Sequence, residues 1–235
     1  MKEKVIIVGH GGSGKDYLVN YLIEKKFKKS ISYTTRPPRK GEINGDTYFF
    51  ISLEQFKELI DQNFWHEYNV FVNDWYYGAS KKDFKQSNLF IKEPNGVSLL
   101  TKEEREKCYV IYININEDIR KNRLSDRKDA DSVQRRIEGD NKDFKNFIDY
   151  DLEITNPYFN CESILYKIIR ETNIKQLSHT VVKEMLKYNV YLKYTEDNKD
   201  YLSFENFCDK ILSNKEFSTM YDNMLNTEKA LYLQT

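Results

Sequence analysis

Cysteine is scarce in this chain, and the few present do not suggest pairing. Cys108, Cys161 and Cys208 are odd in number and far apart, and no C-x-x-C or cysteine–histidine set with metal-ligand spacing occurs. Neither a disulfide framework nor a zinc site is indicated, and inert thiols in a reducing compartment are expected. Net charge is missing as well. The 37 Lys and Arg residues balance the 37 Asp and Glu residues, whereas a general nucleic-acid coat needs a basic excess to displace counterions. Long apolar runs are also lacking. No stretch nears the roughly 20 residues that span a bilayer, and the early run Val5-Ile6-Ile7-Val8 is too short for the core of a signal peptide. The expectation is a soluble, non-secreted, cytoplasmic protein without nucleic-acid or membrane partners.

What is present suffices for a globular fold. The 235 residues are 40% hydrophobic and 31% charged, which allows a real core under a wet surface. At roughly 150 residues per domain the length suggests one full domain and about half of another. The run 5–8 followed by glycines and then apolar residues at helical spacing (Leu18, Tyr21, Leu22) predicts strand, loop, helix. Residues 30–80 change character. Short β-rich pieces at 30–35, 47–51 and 64–71, with a helix near 53–62, predict a small mixed insertion. Further on, strands are expected at 88–91, 108–113 and 152–155. Helices are expected at 116–124 and 132–148, with another carrying 164–169. Strands alternating with helices imply a parallel α/β core. Beyond about residue 172, apolar residues at helical spacing predict a helical C-terminal extension.

The first chemical motif is Gly9-His10-Gly11-Gly12-Ser13-Gly14-Lys15, a G-x-x-x-x-G-K phosphate loop. Its glycines let backbone N–H groups wrap a phosphate, the following helix points its N-terminus at the same anion, and Lys15 reaches the β/γ-phosphates. The pattern usually ends in a Ser or Thr that holds Mg²⁺. Here Asp16 stands in that place, and a carboxylate is also a hard oxygen ligand, which makes Asp16 the candidate metal contact. The second motif runs from Ser32-Tyr33-Thr34-Thr35-Arg36-Pro37-Pro38-Arg39 to Tyr48-Phe49. Two arginine forks beside a proline pair form a stiff cationic corner suited to phosphate oxygens.

This string resembles the guanylate kinases, nucleoside monophosphate kinases of the phosphate-loop class, whose donor loop is followed by S-x-S-x-T-T-R-x-P-R-x-G-E-x-x-G-x-x-Y-x-F. The resemblance covers residues 4–171 and implies a parallel-sheet core with helices on both faces, a small mixed nucleotide-monophosphate insertion and a helical lid. The corresponding division is a guanylate kinase-like domain at 1–173, with core 1–30 and 81–173, insertion 31–80 and lid 123–140, and an extension at 174–235.

By the same resemblance, Gly9, Gly11, Gly12, Ser13, Gly14, Lys15, Asp16 and Asn156 bind ATP. Arg36, Arg39, Tyr48 and Tyr77 hold the GMP phosphate. Ser32, Glu67 and Ser80 lie at the guanine edge. Glu93 matches the second acid of the family's I-L-D-I-D-x-Q-G-V, and Ile91 replaces the first. Arg123, Arg127 and Arg136 match the lid arginines, which act in catalysis with Lys15 and Arg36.

The implied reaction transfers a phosphoryl group from Mg·ATP to GMP or dGMP. A deoxynucleoside monophosphate kinase of other base specificity and an inactive guanylate-kinase-like binding module are the alternatives. The extension is expected to pack back on the core, with a homodimer contact or a protein partner as the other readings. His10 reads as an exposed bystander, and His66 and His179 have no evident partners. Trp65, Tyr68, Phe71, Trp75 and Tyr76 read as the core of the insertion.

Overall fold

The computed structural model describes residues 2–39, 41–71, 75–125 and 133–172. Residues Met1–Lys175 form one compact unit and Gln176–Thr235 a second. The expected helical extension at 174–235 lies outside the described residues.

Four parallel strands form the main sheet. They are β1 (Lys4–Gly9), β6 (Leu89–Ile91), β7 (Cys108–Ile113) and β8 (Leu152–Ile154), in the spatial order β6-β1-β7-β8. β1 and β7 read as continuous apolar runs because helices cover both faces of such a sheet. Val5 through Val8 and Val110, Ile111 and Ile113 are all fully buried. The chain leaves β1 toward β6 and leaves β7 toward β8. The crevice between the carboxyl ends of β1 and β7 is therefore a topological switch point, the place where open α/β sheets bind ligands. Helix α1 (Lys15–Glu24) follows β1 directly, so the glycine loop opens onto that crevice.

The insertion carries a separate sheet. β2 (Tyr33–Thr34), β3 (Phe49–Phe50), β4 (Trp65–Phe71) and β5 (Trp75–Ser80) lie in the order β3-β2-β5-β4. Helix α2 (Leu53–Asp61) is started by a capping box between Ser52 and Gln55, which satisfies two amide donors at its first turn. It drives the fully buried Phe56 onto Trp65, whose ring stacks 4.1 Å away.

β5 was not expected from the sequence. Its Tyr-Tyr-Gly-Ala-Ser stretch has small residues where strand patterns usually show β-branched ones. The fold requires a glycine at position 78, because a Cβ there would lie 2.8 Å from the Trp65 ring. The strands expected at 30–35 and 47–51 shrink to two residues each, Tyr33–Thr34 and Phe49–Phe50, which pair with each other.

The remaining helices are α3 (Lys81–Gln86), α4 (Pro94–Ser98), α5 (Lys102–Glu106), α6 (Glu117–Ser125), α7 (Val133–Phe144) and α8 (Cys161–Glu171). Helix α7 stops short of the expected 148. Phe147 and Tyr150 instead pack at its end against the core cluster of Ile6, Val8, Phe84, Phe90, Val110 and Phe144. Among the described residues, no helix is long and apolar enough to cross a membrane.

Candidate active site

The phosphate loop is shaped by close approach. A Cβ at Gly9 would sit 2.8 Å from the carbonyl oxygen of Ile113 on the neighbouring strand. Gly12 and Gly14 have φ of 75° and 101°, a region that L side chains rarely adopt. The buried Ser13 donates its amide to the His10 carbonyl at 3.2 Å. Lys15 turns back and donates to the carbonyls of Gly9 and His10, the latter at 3.1 Å. Its ammonium thus sits over the loop that would hold the phosphates.

His10 is not an exposed bystander. It is 6% exposed and stacks on Phe144 at 4.0 Å. Burial, reinforced by Arg120 and Lys15, lowers its pKa to about 4, so the imidazole is neutral.

Carboxyl groups gather beside the loop. Asp140 of α7 accepts from the Gly11 amide at 2.6 Å and lies 3.6 Å from the buried Arg120. Glu93 stands at the start of α4, and its pKa is raised by burial, opposed by Lys15 and assisted by Asp140 and Asp143. Burial likewise raises Asp140, against the Gly11 bond and the two cations.

Arg123 of α6 donates to the carbonyls of Gly12 (3.2 Å), Ser13 (3.4 Å) and Pro157 (2.9 Å). It borders a cavity of about 340 Å³ lined also by Gly14, Asp16, Tyr17 and Phe159, a volume at the small end of the range for ligand sites. Asp16 is exposed on the first turn of α1. Asn156 is exposed next to this cavity, and its side-chain oxygen accepts from the Tyr158 amide at 2.9 Å. Arg127 lies outside the described residues. Arg136 is on α7, and its side chain is outside what is described.

The insertion assembles a second cationic site. Pairing of Thr34 with Tyr77 across β2 and β5 brings Arg36 against the far strand. The Arg36 side chain is 3% exposed. It donates to the Tyr77 hydroxyl (3.0 Å), the Pro37 carbonyl (2.7 Å) and Glu42 (2.7 Å). Glu42 also accepts from the Arg39 amide at 2.6 Å. Burial opposes both charges, yet the hydrogen bonds outweigh it: Glu42 is held below the usual carboxylate range and Arg36 above its ordinary value. Tyr48 faces this cluster, its ring 5.6 Å from the guanidinium, and burial pushes its pKa up to about 12. Arg39 is exposed at the rim.

At the other end of β4 a bulge between Trp65 and Glu67 interrupts the pairing. Bulges re-aim side chains, and here two consecutive ones reach toward the core. His66, expected to lack a partner, bonds Glu104 at 2.8 Å and stacks on Phe84 at 3.6 Å. Glu67 accepts from Lys92 at 2.5 Å. Ser32 is half-buried, and its carbonyl accepts from the Phe49 amide. The buried Ser80 caps α3, accepting from the Asp83 amide at 3.0 Å and donating to its carboxylate at 2.5 Å. Trp65 is the centre of the insertion core, flanked by Tyr33, Phe56 and Phe64. Tyr68, expected in that core, is 41% exposed.

The family model described as guanylate kinase matches residues 1–172. The chain belongs to the guanylate kinase family. Among its relatives, the guanylate kinase of Helicobacter pylori is 33% identical over 162 residues, covering 65% of this chain and 78% of that protein. The guanylate kinase of Buchnera aphidicola is 30% identical over 197 residues, covering 78% and 92% respectively. A crystal structure of guanylate kinase from Anaplasma phagocytophilum superposes with a TM-score of 0.53 at 23% identity, covering 69% of this chain and 80% of that one. That likeness concerns the fold.

Within this guanylate kinase framework, four residues escaped the sequence reading as site members: Glu42, Lys92, Arg120 and Asp140. Glu42 was part of the recognised string but carried no role. The signal for Lys92 was a charge set between Ile91 and Glu93 at the end of an apolar strand. Arg120 and Asp140 sit on charged helices, where nothing in the sequence separates a buried charge from a solvated one.

Proposed function

We propose that this chain transfers the γ-phosphoryl group of ATP to GMP or dGMP, giving ADP and the guanosine diphosphate. The observation that carries this reading is the pairing, in one compact unit, of the loop under Lys15 with the buried Arg36 fork held by Tyr77 and Glu42. One can hold a triphosphate and the other a monophosphate.

Phosphoryl transfer depends mainly on positioning and charge compensation. The loop amides of residues 9–14 and Lys15 hold the donor, with Asp16 and Asn156 at its edges. Arg36, Arg39, Tyr48 and Tyr77 hold the acceptor phosphate. An oxygen of that phosphate attacks the γ-phosphorus, the bond to the β-phosphate oxygen breaks, and ADP leaves with that electron pair. The attacking oxygen is already anionic, so no side chain needs to remove a proton. Arg123, Arg127 and Arg136 offset the charge that spreads over the moving group.

Mg²⁺ fits the donor set. It is usually held by one or two carboxylates together with substrate phosphates and water, and the exposed carboxylate of Asp16 lines the cavity beside the loop. The metal, when bound, supplies charge neutralisation on the phosphate oxygens.

The base is read by Ser32, Glu67 and Glu93. The buried hydroxyl of Ser80 is bonded to Asp83, so its part is to fix the start of α3 beside the base. The proposed division of labour assigns 1–30 and 81–173 to the core, 31–80 to acceptor binding and 123–140 to a closing lid. The buried free thiols Cys108 and Cys161 support a cytoplasmic setting.

The test is ADP release with Mg·ATP and each of GMP, dGMP, AMP, dAMP, CMP, dCMP, UMP and dTMP, with Lys15→Ala as control. Turnover on guanine nucleotides alone, reduced by about 10²-fold or more in the control, is expected. Turnover on another base would overturn the base-pocket assignment. No turnover by folded protein would overturn the kinase reading in favour of a binding module.

A further inference from the structure

Lys92 is a lysine in an unusual place. It follows β6, donates its amide to the Ile7 carbonyl, and has a side chain only 3% exposed. Lysines are almost never buried this deeply unless paired. Its ammonium meets Glu67 at 2.5 Å and lies 5.9 Å from the Phe84 ring. The second carboxylate oxygen of Glu67 points at α4, where a Cβ on Gly96 would come within 3.3 Å of it and 3.5 Å of Lys92. The pair therefore occupies a slot that a glycine keeps open. A buried ion pair is a poor way to gain stability, since well-packed apolar residues do as well or better. The charge on Lys92 calls for another reason.

We infer that Lys92 is a positioning residue for base selection: it holds the Glu67 carboxylate in one orientation, aligned to accept from the base edge. This rests on the reading of Glu67 as the group that meets the base. Guanine presents two adjacent donors on its edge, the N1–H and the N2 amine, and an ionised carboxylate accepts from both. Adenine presents a lone pair at N1 instead. A carboxylate has no donor to offer that lone pair and repels it. Without the Lys92 ammonium, the Glu67 carboxylate is free to rotate out of that alignment. Lys92 thus discriminates against adenine without touching the base.

The experiment measures steady-state kinetics of the full chain with GMP and with AMP for the wild type, Lys92→Met, Lys92→Gln, Lys92→Arg and Glu67→Gln. For Lys92→Met, KM for GMP is expected to rise about tenfold with kcat within about threefold, because the lost interaction acts on binding. KM for ATP should not move, and the GMP-to-AMP ratio of kcat/KM should narrow by about tenfold. Lys92→Arg should restore most of both.

Should Lys92→Met fail to fold, Lys92→Gln keeps one N–H donor toward Glu67 without the charge and carries the same expectation. An unchanged KM for GMP and an unchanged GMP-to-AMP ratio in the folded variants would overturn the inference and leave Lys92 a structural counter-ion. Glu67→Gln separates the two layers. If it too leaves KM for GMP unchanged, the assignment of Glu67 to the base is what has failed.

Discussion

The proposed donor and acceptor halves of the site are built from different materials. The donor loop is backbone. Its shape depends on glycines whose missing side chains admit the Ile113 carbonyl and positive φ, and its cations Lys15 and Arg123 bond to main-chain carbonyls. The acceptor half is side chains. Its buried cations Arg36 and Lys92 are each matched to a carboxylate, Glu42 and Glu67 respectively. A backbone cradle tolerates much around it but no added atom within it. A side-chain pocket tolerates shape changes nearby but depends on every charge keeping its partner.

That contrast can be broken most sharply at Arg36. Arg36→Met should lower kcat/KM for GMP by about 10²–10³-fold while leaving KM for ATP in place. It should also destabilise the protein by about 1.5–3 kcal/mol, because Glu42 loses its bond to the guanidinium and keeps the Arg39 amide. Steady-state kinetics with urea unfolding would show both, and a matching rise in KM for ATP would mean that the two halves are not separable.

Gly78→Ala tests whether acceptor geometry depends on the insertion core. Its Cβ would press on Trp65, costing about 1–3 kcal/mol for overpacking. The expected reading is a several-fold rise in KM for GMP at constant KM for ATP.

The smallest expected effect belongs to the donor side. His10 stays neutral in the fold until about pH 4, whereas in the unfolded chain it titrates near 6.5. Between these values the unfolded chain binds more protons, so stability is lost as pH falls from 6.5 to 4. The groups that bias it are Arg120 and Lys15, which oppose its charge, and Glu117, which favours it. His10→Phe keeps the stack on Phe144 and should make the acid-side fall in unfolding free energy shallower across that window. An unchanged slope would assign the acid loss to the carboxylates Glu42 and Asp151, both held below their usual range.

The same contrast explains how much could be read from the sequence. The donor loop was legible because glycine spacing encodes backbone shape directly, and the runs 5–8 and 108–113 announced buried parallel strands. Arg36 and Tyr77 were named through the family string, but Glu42, the partner that holds Arg36 in place, carried no role. Lys92 was missed because a lysine beside a strand end normally faces water, and its burial is decided by Glu67, 25 residues away in the chain. β5 was missed for a related reason: its Gly-Ala-Ser stretch makes sense only once Trp65 is packed over it. His10 and His66 were misread because their stacking partners, Phe144 and Phe84, come from distant elements.

The bulge in β4 sends His66 to Glu104 and Glu67 to Lys92. If the strand slipped by one residue, each side chain would move into its neighbour's place. In one direction Glu67 would face Glu104 and Tyr68 would face Lys92; in the other, Trp65 and His66 would stand in those places. The two contacts therefore act as a charge-coded key. Only one threading of the strand gives both teeth their hydrogen-bonding partners, so the contacts that shape this end of the insertion also fix the register of its strand.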